Sequence, residues 1–242
     1  VIIRSDSDEM GPESFIVGLD RKTGEIRWKT PRNSKNACYS TPVLYQPKDG
    51  PAELIVTANA HGVTSLDPKT GKINWELNGI FQQRTISTPV LIGDLVFGTA
   101  GDGGGRRQAI AVRAGSRTEK REPQIAFQIT RFAPYVPTPI VYNGLMFLWA
   151  DNGIVTCVKA DTGEQIWNER VGGNYFSSPV CVNGKLYGVS ASGELVVLEA
   201  GKEFKLLGRS NLEGPSHATP AVSGGVMYIR TESHLISFGG KK

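Results

Sequence analysis

The chain has 242 residues, with 27 Lys and Arg against 23 Asp and Glu, a formal net charge of +4, and 39% hydrophobic residues. The mild and scattered positive balance argues against nucleic-acid binding, and no apolar run reaches the roughly 18 residues a transmembrane helix needs. The 29 Gly and 14 Pro are the turn formers that many short hairpins require, which points to an all-β chain.

The chain starts inside an apolar strand-like run, so a targeting segment and further blades are expected upstream of Val1. Residues 1–5, 15–19 and 26–28 read as three strands, with the acidic run Asp6-Ser7-Asp8-Glu9 as a long solvated hairpin loop. Its spacing lacks a full calcium cage.

A phrase then recurs five times: Ser40-Thr41-Pro42-Val43, Ser87-Thr88-Pro89-Val90, Pro137-Thr138-Pro139-Ile140, Ser177-Ser178-Pro179-Val180 and Ala218-Thr219-Pro220-Ala221. Its prolines are 47, 50, 40 and 41 residues apart, the period of a β-propeller blade. Within the copy from Pro139, the pairs Asn143-Gly144, Asn152-Gly153 and Thr162-Gly163 separate four apolar runs. Asn-Gly and similar pairs accept the positive φ of tight hairpin turns. The apolar runs are nearly continuous, as expected of sheets covered on both faces. The template gives about 22 strands: three in the first unit, four in each of the next four, and three in the last. The expected fold is thus an all-β propeller of four-stranded antiparallel blades forming a single domain over 1–242. About five and a half blades are present, as a fragment of a seven- or eight-bladed ring.

Arg106-Arg107 and the run 113–121 make the most basic stretch and read as a mobile insertion. The stretch Gly101-Asp102-Gly103-Gly104-Gly105 lacks the Lys and helix of a phosphate loop. Cys38, Cys157 and Cys181 are far apart, without metal or redox spacing, and read as buried apolar residues.

A more specific phrase recurs on three turns. Leu19-Asp20-Arg21-Lys22-Thr23-Gly24 leads to Trp28, Leu66-Asp67-Pro68-Lys69-Thr70-Gly71 to Trp75, and Asp161-Thr162-Gly163 to Trp167. The pattern resembles the tryptophan-docking repeat of quinoprotein-like propellers, the pyrroloquinoline quinone (PQQ) repeat family, over nearly the whole chain. In the other two blades Phe127 and Phe204 replace the Trp, and Gly115 and Gly201 lack the Thr. Asp accepts backbone hydrogen bonds in such turns, Gly24, Gly71 and Gly163 supply the positive φ, and Trp28, Trp75 and Trp167 are assigned to docking on the neighbouring blade.

Antiparallel parity places the Thr-Gly turns on one regular face and the loops entering each proline phrase on the other. Variable loops on a repeat scaffold are where binding residues concentrate. That face offers a candidate rim for a ligand or partner: Tyr39, Arg84, Tyr135, Tyr175 and His217, with His61, Asp151 and Asn152 nearby. Enzymes of the resembled family hold PQQ and calcium at this mouth, often beside adjacent cysteines, which this chain lacks. The BamB-like members are lipoprotein scaffolds of the outer-membrane barrel assembly machinery. That resemblance implies a non-catalytic, extracytoplasmic protein with protein partners and no cofactor. A PQQ- and calcium-dependent dehydrogenase fragment and a polysaccharide-binding propeller are the alternatives.

Overall fold

The computed structural model describes residues 1–7, 14–34, 36–116 and 118–239. Asp8 and Glu9 of the acidic run, and residues 240–242, lie outside the described residues. All 22 elements are β-strands, and they form six antiparallel sheets. Among the described residues no helix is long and apolar enough to cross a membrane.

The first blade has β1 (Ile2–Ser5), β2 (Ser14–Leu19) and β3 (Ile26–Arg32). The second has β4 (Val43–Tyr45), β5 (Glu53–Ala58), β6 (Gly62–Leu66) and β7 (Ile73–Leu77). The third runs through β8 (Val90–Ile92), β9 (Leu95–Gly101), β10 (Arg107–Arg113) and β11 (Gln124–Ile129). Next come β12 (Ile140–Tyr142), β13 (Leu145–Trp149), β14 (Ile154–Lys159) and β15 (Gln165–Arg170), then β16 (Val180–Val182), β17 (Lys185–Val189), β18 (Glu194–Glu199) and β19 (Leu206–Asn211). The last blade has β20 (Ala221–Ser223), β21 (Val226–Arg230) and β22 (Leu235–Gly239). Each strand pairs with the next in sequence, so every blade is a meander. The expected partition into three, four, four, four, four and three strands is the observed one.

The blades fall into two compact units, Val1–Thr130 and Arg131–Lys242, with three blades in each. Four of the central strands are buried along their whole length, as continuous apolar runs require: every residue of β5, β6, β9 and β13 is buried. In the two four-stranded blades of the second unit the first hairpin turns on Asn143-Gly144 and on Asn183-Gly184, all four residues with positive φ.

The basic stretch is more ordered than its composition suggests. Arg107 and Arg113 lie within β10. The following segment closes as a small hairpin through reciprocal backbone bonds between Ser116 and Arg121. The Arg121 guanidinium folds back to donate to the Ala114 carbonyl at 3.3 Å and to Glu119 at 2.7 Å. Intrachain partners for the guanidinium thus replace the solvation that a loose loop would have.

The Asp-Thr-Gly turns are built as the residue types demand. In two of them one carboxylate oxygen caps two N–H groups: Asp20 takes those of Lys22 and Thr23, and Asp67 those of Lys69 and Thr70, all at 2.8–3.0 Å. Gly24, Gly71 and Gly163 have φ of 77°, 71° and 73°. The Arg27 guanidinium, followed by those capping N–H groups, holds the Asp20 carboxyl well below its ordinary range.

These turns receive the indoles. Trp28 lies on Gly71 and donates from Nε1 to the Pro68 carbonyl at 3.1 Å, joining the first blade to the second. Trp167 donates to the Gly201 carbonyl at 3.1 Å and packs edge-on against Phe204, joining the fourth to the fifth. Trp75 also covers a glycine of the next blade, Gly115, but its Nε1 donates at 2.9 Å to the buried Glu53 carboxylate of its own blade. The third blade has no Asp-Thr-Gly turn at Gly115, so the indole N–H finds its acceptor at home.

The proline phrase ties blades as well. Within the second unit, the Thr138 N–H donates to Ser178 Oγ at 2.9 Å, and the Ser178 N–H to Thr219 Oγ1 at 3.0 Å. The hydroxyls of Ser178 and Thr219 therefore each cap the backbone of the phrase before.

Candidate functional site on the variable face

In two of the segments entering the proline phrases burial alternates along the chain: Cys38 and Ser40 are buried on either side of exposed Tyr39, and Tyr175 and Ser177 on either side of exposed Phe176. In the second unit the loops between the second and third strands hold these segments through backbone bonds. Tyr175 N–H donates to the Asp151 carbonyl at 2.8 Å, Ala191 N–H to the Asn174 carbonyl at 2.7 Å, and Glu232 N–H to the Pro215 carbonyl at 2.9 Å. These segments of the second unit thus form a hydrogen-bonded frame with a few outward side chains.

The eight rim positions separate into three groups. Tyr39, at 60% exposure, stands out on a backbone anchored by its N–H to the Thr85 carbonyl. His217 and Asn152 are also exposed. His217 meets Phe176 edge-to-face with ring centroids 5.1 Å apart, and Phe176 is itself 49% exposed. Arg84 and Tyr135 are half-buried. The Arg84 carbonyl accepts from the Gly101 N–H, which fixes its loop to β9.

Asp151 and His61 do structural work. The Asp151 carboxylate accepts the N–H groups of Tyr135 at 2.7 Å and Val136 at 3.1 Å, which clamps that segment onto the blade. His61 Nδ1 faces Glu76 Oε1 at 3.2 Å, and its Nε2 accepts the Asn33 N–H at 3.1 Å. The Nε2 bond fixes the neutral ring as the Nδ1–H tautomer. Glu76 also pairs with Arg32 at 2.8 Å and accepts Thr64 Oγ1–H at 2.8 Å. Burial raises the Glu76 carboxyl, but His61, Arg32 and Thr64 outweigh it and hold the group at about 2.

Tyr175 is a correction: it is not on the rim but fully buried. Its ring packs on Trp149 at a centroid distance of 5.2 Å, in space that Gly173 and Gly188 leave open. A Cβ on Gly188 would stand 2.5 Å from the Trp149 ring. Burial pushes the Tyr175 phenol up to about 12. The residue of this loop that faces outward is Phe176, which sequence reasoning passed over for want of a polar tip.

The sequence also gave no sign of the environment of Cys38. Its sulfur accepts the N–H groups of Asn59 at 3.3 Å and Thr85 at 3.4 Å. Cys38 and Cys157 are buried, Cys181 is half-buried, and all three are free thiols. Desolvation pushes Cys157 up to about 12, as an inert core thiol requires.

A calcium-bound quinone needs about six hard oxygen donors at the mouth. Among the described residues no three His, Cys, Asp or Glu side chains converge. Asp102 is spent on its own turn, where it accepts the Gly104 and Arg106 N–H groups and the Arg106 Nε–H. With the Asp151 carboxylate also occupied by backbone, the residues present do not fit the cofactor.

Comparison with known proteins places the chain. The model of the family described as outer membrane protein assembly factor BamB matches residues 13–201 and 151–240. The outer membrane protein assembly factor BamB of Burkholderia pseudomallei is 28% identical over 109 residues, 44% of this chain and 28% of that protein. The crystal structure of BamB from Moraxella catarrhalis superposes with a TM-score of 0.65 at 16% identity, over 99% of this chain and 71% of that one. A europium-containing methanol dehydrogenase superposes with a TM-score of 0.67 at 13% identity, over 90% of this chain and 57% of that one. At these identities the superpositions speak for the fold alone. The sequence match spans less than a third of the Burkholderia protein's length.

Proposed function

The chain belongs to the family of the outer membrane protein assembly factor BamB, and from that membership we propose that it is a non-catalytic propeller scaffold binding protein partners in the bacterial cell envelope. The carrying observation is the division of labour between the faces. In each unit the docking turns repeat, while the loops entering the proline phrases hold Tyr39 outward in the first unit, and Phe176 and His217 outward in the second, on backbone clamped by hydrogen bonds. Rigid, exposed aromatic side chains on a pre-organised frame are what protein recognition uses, because they add contact area at little entropic cost.

The partner class is the outer-membrane assembly machinery after which the family is described. The location is extracytoplasmic and no cofactor takes part. The likeness to a methanol dehydrogenase is one of fold, and the occupied carboxylates of Asp102 and Asp151 weigh against a quinone-binding reading.

The test is co-purification of the full-length protein from envelope membranes, comparing the parent with the double variant Tyr39→Ala and His217→Ala. Loss of the assembly machinery with an unchanged melting temperature is expected. Full retention would reject the rim. A melting temperature raised by PQQ with calcium, together with quinone absorbance, would reject the scaffold.

A further inference from the structure

The edge strand of a sheet invites another chain, because its outer N–H and C=O groups have no partner within the sheet. Four strands, β7, β11, β15 and β19, end the four-stranded blades. Three of them carry charged residues, one of the usual guards on such an edge: Glu76 on β7, Glu169 and Arg170 on β15, and Arg209 on β19. β11 reads Gln124-Ile125-Ala126-Phe127-Gln128-Ile129, with neither a charge nor a proline. The opposite edges of these blades, β4, β8, β12 and β16, are guarded by being only three residues long. Among the described residues β11 pairs with β10 alone, and Gln124, Ile125, Ala126 and Gln128 are exposed.

The ladder with β10 shows which part of this edge is usable. Ala111 lies opposite Phe127 and Val112 opposite Ile125, so Ala126 is an extra residue, a β-bulge that bends the start of the strand. From Phe127 to Ile129 the pairing is regular, against Ala111, Ile110 and Ala109. Phe127 and Ile129 are half-buried on one face, where the Phe127 ring packs on Phe97 of its own blade with centroids 6.2 Å apart. Gln128 stands exposed on the other face.

This regular stretch is complementary to itself. In a second copy running antiparallel about a two-fold axis at Gln128, Gln128 faces Gln128 and Phe127 faces Ile129. Each amide both donates and accepts, so the two satisfy one another. An aromatic ring opposite a β-branched residue is a favourable cross-strand pair. No like charges meet, whereas a charged residue at the axis would face its own copy and be repelled. A contact made by the same patch on both copies closes at two.

We propose that the β11 edge is a homodimer contact, pairing antiparallel with β11 of a second copy about Gln128. This surface is separate from the loops that enter the proline phrases and independent of the protein-binding reading. Only three residue pairs meet in the regular stretch, well short of the roughly 1,200 Å² of a standard interface, so the dimer is weak, with a Kd on the order of 0.1 mM.

Sedimentation equilibrium of the full-length protein, from about 10 μM to about 1 mM, reads the association. A reversible monomer–dimer equilibrium without larger species is expected. Gln128→Lys and Gln128→Glu each set like charges across the axis at an exposed position. Each should weaken dimerisation about fivefold with an unchanged melting temperature. An equimolar mixture of the two should recover the parental dimer, because Lys then faces Glu. A parent that stays monomeric throughout overturns the proposal, as does assembly beyond two copies. Parental dimerisation by either single variant overturns it too, and so does a mixture that associates no better than its components.

Discussion

Trp28 and Gly71 are in face-to-face contact across two blades: the indole occupies the space where any β-carbon at position 71 would stand. The same phrase in the first blade puts Gly24 at nearly the same φ, 77° against 71°, with nothing within 4 Å of an added Cβ. The two glycines therefore separate backbone strain from docking. Gly24→Ala should cost only the left-handed strain of about 1–2 kcal/mol. Gly71→Ala should cost about 1–3 kcal/mol more, because the methyl must displace the indole. Urea denaturation of both variants checks this, and equal losses would show that Trp28 does not dock there.

The buried pair Trp149 and Tyr175 makes an opposite prediction. Among the described residues, the Trp149 indole nitrogen and the Tyr175 hydroxyl are both buried without a hydrogen-bond partner. Leaving a polar group in that state costs about 1–3 kcal/mol. Tyr175→Phe retains the ring contact and removes one such group, so thermal stability should hold or rise slightly. A fall of several degrees in the melting temperature would mean that the hydroxyl is satisfied by something the packing does not reveal.

The Glu76 cluster sets an acid limit. Its folded carboxyl is held at about 2 against an ordinary value near 4.5. A depressed carboxylate contributes stability that is fully present above the unfolded value and is lost as pH falls from about 4.5 towards about 2. The contribution is on the order of 3 kcal/mol, since Glu76 is 22% exposed and poorly screened. Glu76→Gln should flatten the acid limb of a stability-against-pH curve over that window. An unchanged limb would show that Arg32 and His61 do not hold the carboxylate in solution.

The phrase hydroxyls should be felt at the backbone. Ser178→Ala leaves the Thr138 N–H without its acceptor, and Thr219→Val does the same to the Ser178 N–H. Each should destabilise the second unit by about 1 kcal/mol. Hydrogen exchange read at Thr138 and Ser178 should accelerate in the matching variant. If both amides exchange at the parental rate, the tie between phrases does not operate.

The blades were legible because their signals are local. Asn143-Gly144 and Asn183-Gly184 demand a tight turn wherever they occur, and Thr-Gly followed by Trp repeats a device whose partners lie one period away. The outward face of a loop is not local. In Asn174-Tyr175-Phe176 the alternation of an extended segment turns Tyr175 inward, but only Trp149, Gly173 and Gly188 decide which parity wins. Nothing near Tyr175 in sequence states that. His61 and Asp151 have the composition of ligand residues, yet Glu76, Asn33 and the backbone of Tyr135 and Val136 occupy them.

The most direct measurement is hydrogen–deuterium exchange of the full-length protein, alone and with the purified outer-membrane assembly machinery. Protection is predicted at 37–39, 133–135, 174–176 and 215–217, with the Thr-Gly turns at 22–24, 69–71 and 161–163 unchanged. Protection confined to those turns, or none at any of these segments, would contradict the assignment of partner binding to the variable face.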